Sequence, residues 1–600
     1  MLVVVLEEAG QFTVYRAWYF LHRKHSKMQT VILLLVLGGS ICCSARNYVS
    51  LEHDQDLYYW KEKGWEMMQR VEPSKQLTLT FALKQRNIGK LQNILFDVSD
   101  PESSTYCRYI TVKQITKIIS PSRRTLNVVK RWLAKQAVTD CEVTQNKDFL
   151  VCQARRDTAE NLLVGAVFYY FKHPNADKLE IRSPSRYYVP GFVAKHLDFV
   201  GGLHRFPPVS QRKQTDSKDN SSKAKHRSQP DIHVGVYPAV LRERYNISNN
   251  VGSHPDNSQA VAQFLGQFYN AADLKEFMYI FGSGFVHLTE IAKVIGPDTG
   301  RSGIEASLDT QYIMSTGANI TTWFWSTAGR HESQEPFLTW LIAVGNTSKV
   351  PHVHSVSYGE AESTLSVSYM RRVNVEFMKA GARGLSILFA SGDDGAGCKK
   401  EKFAPNFPAT SPYVTSVGGT ALSNPFTTSG EYGYEISSGG FSNLFGQPTY
   451  QYKHVKNYLT KSPNLPAEKY FNRSGRAYPD IASISNHFWI VNNRIPVPGV
   501  AGTSAAAPTV SGIISLLNDA RLNRNLPVMG FLNPFLYKNS AALYDVTSGC
   551  NEGCLSGDKG FCAFQGWDPV TGNGSPNFAA LVKVAIKMFE GPGTGSRGFA

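Results

Sequence analysis

Six hundred residues exceed what one hydrophobic core organises, so the chain is expected to divide into two or more folding units. At 42% apolar and 18% charged it has ordinary globular composition. The net charge of +15 points toward nucleic acid, yet 35 of the 63 basic but only 22 of the 48 acidic residues precede Ile232, leaving the rest close to neutral. With no aromatic-interleaved basic stripe and no zinc-finger spacing, no nucleic-acid partner is expected.

Near the start, "HRKHSKMQTVILLLVLGGSICCSARN" joins a basic flank, an apolar run from Val31 to Gly39 and the small residues Cys43-Ser44-Ala45. That run is too short to span a bilayer and has the layout of a secretory signal. Met28 then reads as the functional start, and residues 1–45 as extension plus signal. No later segment is apolar enough to cross a membrane, so a soluble exported product is expected. Sequons at Asn220, Asn246, Asn319, Asn346, Asn472 and Asn573 fit that route. Seven cysteines follow the signal, an odd number that leaves one unpaired or intermolecular.

Residues 46–206 alternate short β-rich runs ("LTLTFALK", "FLVCQA", "AVFYYF") with helical patches ("TLNVVKRWLAKQA"), which predicts a compact α+β domain. Residues 207–231 contain almost no large apolar side chain and cannot bury enough surface to fold. Composition leaves open whether they form a passive linker or a proteolytic junction.

From Ile232 strands alternate with helices. "VPHVHSVSYG", "LSILFA" and "SPYVTSVGGT" read as strands, and "STLSVSYMRRVNVEFMKAGARG" as an amphipathic helix closed by Gly384. Continuous apolar strands joined by helices predict a parallel sheet covered on both faces. In such sheets functional loops lie at the carboxyl ends of strands. Asp393 and Asp394 occupy one such loop, where a plain turn-capping role is also open. Glu360, in "SYGEAES" after another strand, is a candidate for meeting a substrate ammonium, the alternative being a solvent-exposed loop glutamate.

"SGIEASLDTQYIMSTG" has Ile304, Leu308 and Ile313 as its apolar stripe and puts Glu305 and Asp309, at i and i+4, on one helical face. They are either a solvated acidic face or a coupled pair sharing a proton. Ser504, in "GTSAAAP", opens a helix, where N-capping or stabilisation of developing negative charge would each suit it. No histidine precedes a glycine, so the His-Gly signature of a histidine base is missing; "DTG" at Asp298–Gly300 lacks the partners that either motif it matches requires.

These residues carry a resemblance. Glu305…Asp309, Ser391-Gly392-Asp393-Asp394-Gly395 and Gly502-Thr503-Ser504 are similar, in order, to the E-x-x-x-D, S-G-D-x-G and G-T-S motifs of the sedolisin (serine-carboxyl peptidase) family. The resemblance runs from near Tyr58 to "WDPVTGNGSPNFAALVK" and is strongest to the lysosomal, tripeptide-releasing branch. It implies a subtilisin-like parallel sheet with helices on both faces, at 232–600, preceded by an α+β (ferredoxin-like) inhibitory prodomain. It implies Ser504 as nucleophile, Glu305 as base, Asp309 as its partner and protonated Asp393 as oxyanion donor. A carboxyl group donates a hydrogen bond only while neutral, which suits an acidic compartment.

The resemblance further implies one calcium ion held by Asp545, Asp568 and the carbonyls of Val546, Phe564 and Gly566, with Phe564 standing where the family has glycine. It implies disulfides Cys141–Cys152, Cys398–Cys554 and Cys550–Cys562, leaving Cys107 over. Peptides are the implied substrates and the prodomain the implied inhibitor. An endopeptidase of the same fold and a catalytically silent binding homologue are the alternatives.

Overall fold

The computed structural model describes residues 47–206 and 235–587, apart from 53–58, 63, 174–178, 265, 298–299, 301, 328–335, 399–401, 425–428 and 555–557, together with an N-terminal hairpin, Leu2–Glu8 and Gln11–Ala17. The signal-like run, the basic segment 207–231 and Asn220 lie outside the described residues, as does most of the "DTG" turn.

The first unit is built on a four-stranded antiparallel sheet of Gln76–Leu83, Cys141–Val143, Phe149–Arg155 and Leu197–Gly201. In space the fourth of these lies beside the first, then the third, then the second. Helices Ile88–Ser99, Val112–Ile119 and Arg123–Lys135 follow the first strand and Arg156–Leu162 follows the third, the β-α-β-β-α-β path of ferredoxin-like units. Cys141–Cys152 staples the two adjacent strands of its edge.

The second unit is the larger. Its elements in chain order are β1 (Ser258–Gln263), α1 (Ala271–Phe281), β2 (Lys293–Ile295), α2 (Ile304–Thr316), β3 (Thr321–Ser326), β4 (Val353–Val356), α3 (Val367–Ala382), β5 (Ser386–Ala390), β6 (Thr415–Leu422), β7 (Glu431–Gly433), β8 (Ile481–Ile484), β9 (Phe488–Asn492), β10 (Ile495–Val500) and α4 (Thr503–Leu522). The eight-stranded sheet runs β2-β3-β1-β4-β5-β6-β7, with β8 also on β6. Every pairing is parallel except β6 with β7. β4 and β5 are buried at every position, as strands covered on both faces must be.

One face packs on α2 and α4, where Val261, Leu308, Ile313, Val353, Leu388 and Ile513 share a core. The other face packs on α3 and the helix Pro336–Asn346, and this core also takes in Ala82, Phe149 and Phe199 of the first unit. The two units therefore share buried apolar surface. At the same seam Asp148 of the first unit meets Arg372 at 3.0 Å and Lys379 at 3.1 Å, both from α3.

Helix α2 decides between the two readings of its acidic pair. It has no solvated acidic face: every residue from Ala306 to Thr316 is buried, because α4, α1 and β9 enclose it. The Asn573 sequon is buried as well, its Nδ2 donating to the Asp480 carbonyl, so it presents no glycan acceptor in the folded chain.

Candidate active site

The site starts from two helices that run side by side. A Cβ on Gly512 of α4 would lie 2.4 Å from the Gly317 nitrogen at the end of α2, so the backbones touch there. Asp309 and Ser504 each precede that crossing by eight residues, about 12 Å of helix at 1.5 Å per residue. They consequently arrive at the same level, and Ser357, just beyond the carboxyl end of β4, reaches both. Its Oγ donates to Asp309 Oδ1 at 2.7 Å and lies 3.4 Å from the Ser504 carbonyl oxygen. That carbonyl is left over because Pro508, four residues on, has no N–H to offer it.

Asp309 is fully buried. Its Oδ2 accepts from the side-chain amide of Gln263, at the end of β1, and Tyr358 Oη donates to the Gln263 Oε1 at 2.9 Å, fixing the amide's orientation. Burial pushes the Asp309 pKa well above the ordinary carboxylate range, and the nearby Glu305 charge raises it further; the Ser357 and Gln263 bonds offset part of this. Glu305, one turn earlier, is half-buried. The two carboxyls are electrostatically coupled, the charge of one opposing ionisation of the other.

Asp393 follows β5. Its Oδ1 accepts from the Thr503 N–H at 2.7 Å and from the Thr503 Oγ1 at 2.8 Å, which ties the loop to the first residue of α4. Thr503 Oγ1 in turn accepts from the Gly392 N–H at 3.1 Å. Gly502, with φ 145°, has to be glycine: a Cβ there would sit 2.9 Å from Asp393 Oδ2. Asp393 is exposed on its solvent side, while the first residue of α4 packs against its carboxyl through the two Thr503 bonds. Desolvation of the carboxyl raises its pKa, against the lowering effect of the two Thr503 bonds and with a further push from Asp394. Since Oδ1 already accepts two hydrogens, a proton belongs on Oδ2.

Asp394 is exposed, with its N–H donating to Ser438 Oγ. Glu360 lies on a two-residue strand paired with Asn406–Phe407, half-buried, its Oε2 accepting from Thr364 Oγ1 at 3.1 Å. Gln263, Ser357 and Thr503 are contributions that the sequence reading missed. The usable signal was position, since Gln263 and Ser357 both stand where a strand of a parallel sheet ends.

Asp545 and Asp568 converge on one turn. Asp545 Oδ2 accepts from the Gly566 N–H at 2.9 Å and Asp568 Oδ2 from the Phe564 N–H at 3.2 Å. Thr571 Oγ1 lies 3.4 Å from the Val546 carbonyl oxygen and donates to Asp568 Oδ2 at 2.9 Å. Phe564 is not among the residues of positive φ, so a side chain is tolerated where glycine was anticipated, and its ring packs edge-on to Tyr458. Burial raises the Asp568 pKa to about 7, and no lysine or arginine among the described residues pairs with it. The Asp568 oxygens also accept from the Val570 and Thr571 N–H groups, and two carboxylates on one turn near the Val546 carbonyl are oxygen ligands of the type a hard divalent ion takes. Cys398–Cys554 joins this region to the segment after Asp393, Cys550–Cys562 staples two paired strands within it, and Cys107 is a free buried thiol.

Residues 63–206 match the Pro-kumamolisin activation domain, and residues 317–529 match the subtilase family. The subtilase match contains Ser504 but begins beyond Glu305 and Asp309, so the carboxyl pair stands outside the region shared with subtilases. Tripeptidyl-peptidase 1 of Rattus norvegicus is 50% identical over 566 residues, 92% of this chain and 98% of the relative. That of Canis lupus familiaris is 48% identical over 572 residues, 94% of this chain and 100% of the relative. That of Homo sapiens is 48% identical over 534 residues, 87% and 94% respectively. With such relatives spanning nearly its whole length, the chain belongs to the tripeptidyl-peptidase 1 group of the sedolisin family and is a serine-carboxyl peptidase made as a zymogen.

Proposed function

We propose that the enzyme releases tripeptides from the free N-termini of peptides and partly unfolded proteins, in the lysosome, which it reaches through the secretory pathway. Ser504 Oγ attacks the scissile carbonyl as Glu305 takes its proton, with Asp309 sharing charge with Glu305. The new C–O bond forms, the C–N bond breaks, and the leaving amine receives the proton from Glu305. Water then hydrolyses the acyl-enzyme by the same route. Asp393, neutral, donates from Oδ2 to the oxyanion. The observation that carries this reading is the Asp393 carboxyl, raised in pKa and bonded to the residue that precedes Ser504. A donor of that kind works only while protonated, hence the acidic compartment.

The activation domain acts as the inhibitor until it is removed near residue 232. Asn246, Asn319, Asn346 and Asn472, none of them fully buried, are the glycan acceptors within the described residues. Asp545, Asp568 and the carbonyls of Val546, Phe564 and Gly566 would hold one calcium ion, whose charge would fix the turn 564–568.

Glu360 receives the substrate's ammonium. A charge-assisted contact of that sort contributes about 1.5–3 kcal/mol, so acetylating the substrate slows cleavage roughly ten- to a hundredfold. The test is an acid-pH assay on one peptide with free and acetylated N-termini, using wild type and Glu360→Gln. The variant should lose activity on free peptide far more than on acetylated peptide. Equal cleavage of both peptides by wild type would make the enzyme an endopeptidase.

A further inference from the structure

Hairpin β9–β10 leads straight into the catalytic serine, since only three residues separate Val500 from Ser504. Its two-residue turn is Asn493-Arg494, with φ 52° and 61°. A turn with both central residues left-handed normally uses glycine at the second, and an arginine there is disfavoured by its Cβ. One carboxylate holds this turn. Asp273, in the first turn of α1 and 1% exposed, accepts from the Asn493 N–H at 2.9 Å and from the Arg494 N–H at 2.8 Å.

The same carboxylate reaches the other half of the site. Its Oδ2 also accepts from Ser302 Oγ at 3.0 Å, three residues before Glu305. Asn492 Nδ2, beside the turn, donates to Ser302 Oγ at 3.1 Å and to Ser307 Oγ at 3.2 Å, and Ser307 lies two residues after Glu305. Further along α2, Gln311 exchanges two hydrogen bonds with the Val491 backbone, at 2.7 and 3.0 Å. Strand β9 is thereby fastened along the helix that carries Glu305 and Asp309, while β10 feeds Ser504.

We propose that Asp273 is a positioning residue for catalysis: by holding the Asn493-Arg494 turn and Ser302 in one carboxylate, it sets Ser504 against Glu305. This rests on the roles proposed for Ser504 and Glu305. Asparagine at 273 turns one acceptor oxygen into a donor facing other donors, so the turn shifts and both catalytic segments shift with it.

The test uses full-length zymogen, activated at acid pH, with active sites counted by a serine-directed fluorophosphonate. Asp273→Asn should lower kcat per labelled site at least tenfold with KM within about twofold of wild type. Adding Arg494→Gly, which accepts the left-handed turn unaided, should recover at least fivefold of that loss. A purely structural role would lower Tm or the labelled fraction and leave kcat per labelled site unchanged, which would overturn the proposal. It is also overturned if Asp273→Asn/Arg494→Gly regains Tm without regaining kcat. Where Asp273→Asn alone does not fold, the paired variant supports the proposal if it folds and turns over, and opposes it if it folds with kcat no higher than a thousandth of wild type. Ser504→Ala runs in parallel: activity in that variant would defeat the catalytic assignment itself, whatever Asp273 does.

Discussion

The Ser357 hydroxyl donates to Asp309 Oδ1 at 2.7 Å, across the gap between the end of β4 and the middle of α2. A hydrogen bond to a carboxylate contributes about 1.5–3 kcal/mol. Ser357→Ala should therefore raise the Asp309 pKa further and lower kcat roughly ten- to a hundredfold. Ser357→Thr, which keeps the hydroxyl, should recover most of it. Steady-state kinetics on both variants decide the matter, and an alanine variant with wild-type kcat would remove Ser357 from the account.

Asp393 sets the alkaline limb. Its folded pKa is raised, so the neutral donor persists above the ordinary carboxylate range and is lost as pH rises through the raised value. Asp393→Asn keeps an N–H donor that does not titrate. Its rate should fall by less than the roughly 10²–10³ that loss of an oxyanion donor costs, and the residual activity should decline less steeply with rising pH. An unchanged rate and pH profile would reduce Asp393 to a loop former.

For calcium the prediction is a stability difference. Wild type should melt higher with calcium than with chelator, and Asp568→Ala should melt low in both, having lost one of two carboxylates for a divalent ion. The disulfides Cys398–Cys554 and Cys550–Cys562 will hold part of the region together in either case. Wild-type melting indifferent to both additives would contradict the site.

At the seam with the activation domain, burial alone would raise the Asp148 pKa, but Lys379 and Arg372 hold it well below the usual range. Its contribution to docking is thus present above the unfolded carboxylate pKa, near 3.9, and is lost only as pH falls beneath that. Mild acid does not loosen this contact. Removing one partner of a buried ion pair costs about 3–5 kcal/mol. Asp148→Asn zymogen should accordingly mature at least tenfold faster at acid pH, followed by gel. A half-time equal to wild type would mean that the cluster does not govern release.

Much of the architecture was legible in the chain. β5 lies in a continuous apolar run, "LSILFA", which suits a strand covered on both faces, and Gly384, with φ 86°, marks the end of α3. The site was legible in part. Glu305, Asp309, Asp393 and Ser504 are reactive residue types in ordered motifs, whereas Gln263, Ser357 and Asp273 are ordinary polar residues whose importance comes from what folds beside them. The apolar stripe of α2 understates its burial, because it leaves out the polar residues Gln311, Thr310 and Ser315. In the fold Gln311 pairs with a strand edge, and all three are buried. A polar group such as Gln311, satisfied by distant backbone, leaves no local pattern to read.

The most direct measurement is mass-spectrometric mapping of a peptidyl fluorophosphonate on acid-activated protein. The account predicts one label per chain, on Ser504, formed fastest at acid pH, slowed at least a hundredfold in Glu305→Gln and absent in Ser504→Ala, which also stays unprocessed. A label on another residue, or turnover surviving in Ser504→Ala, would contradict it.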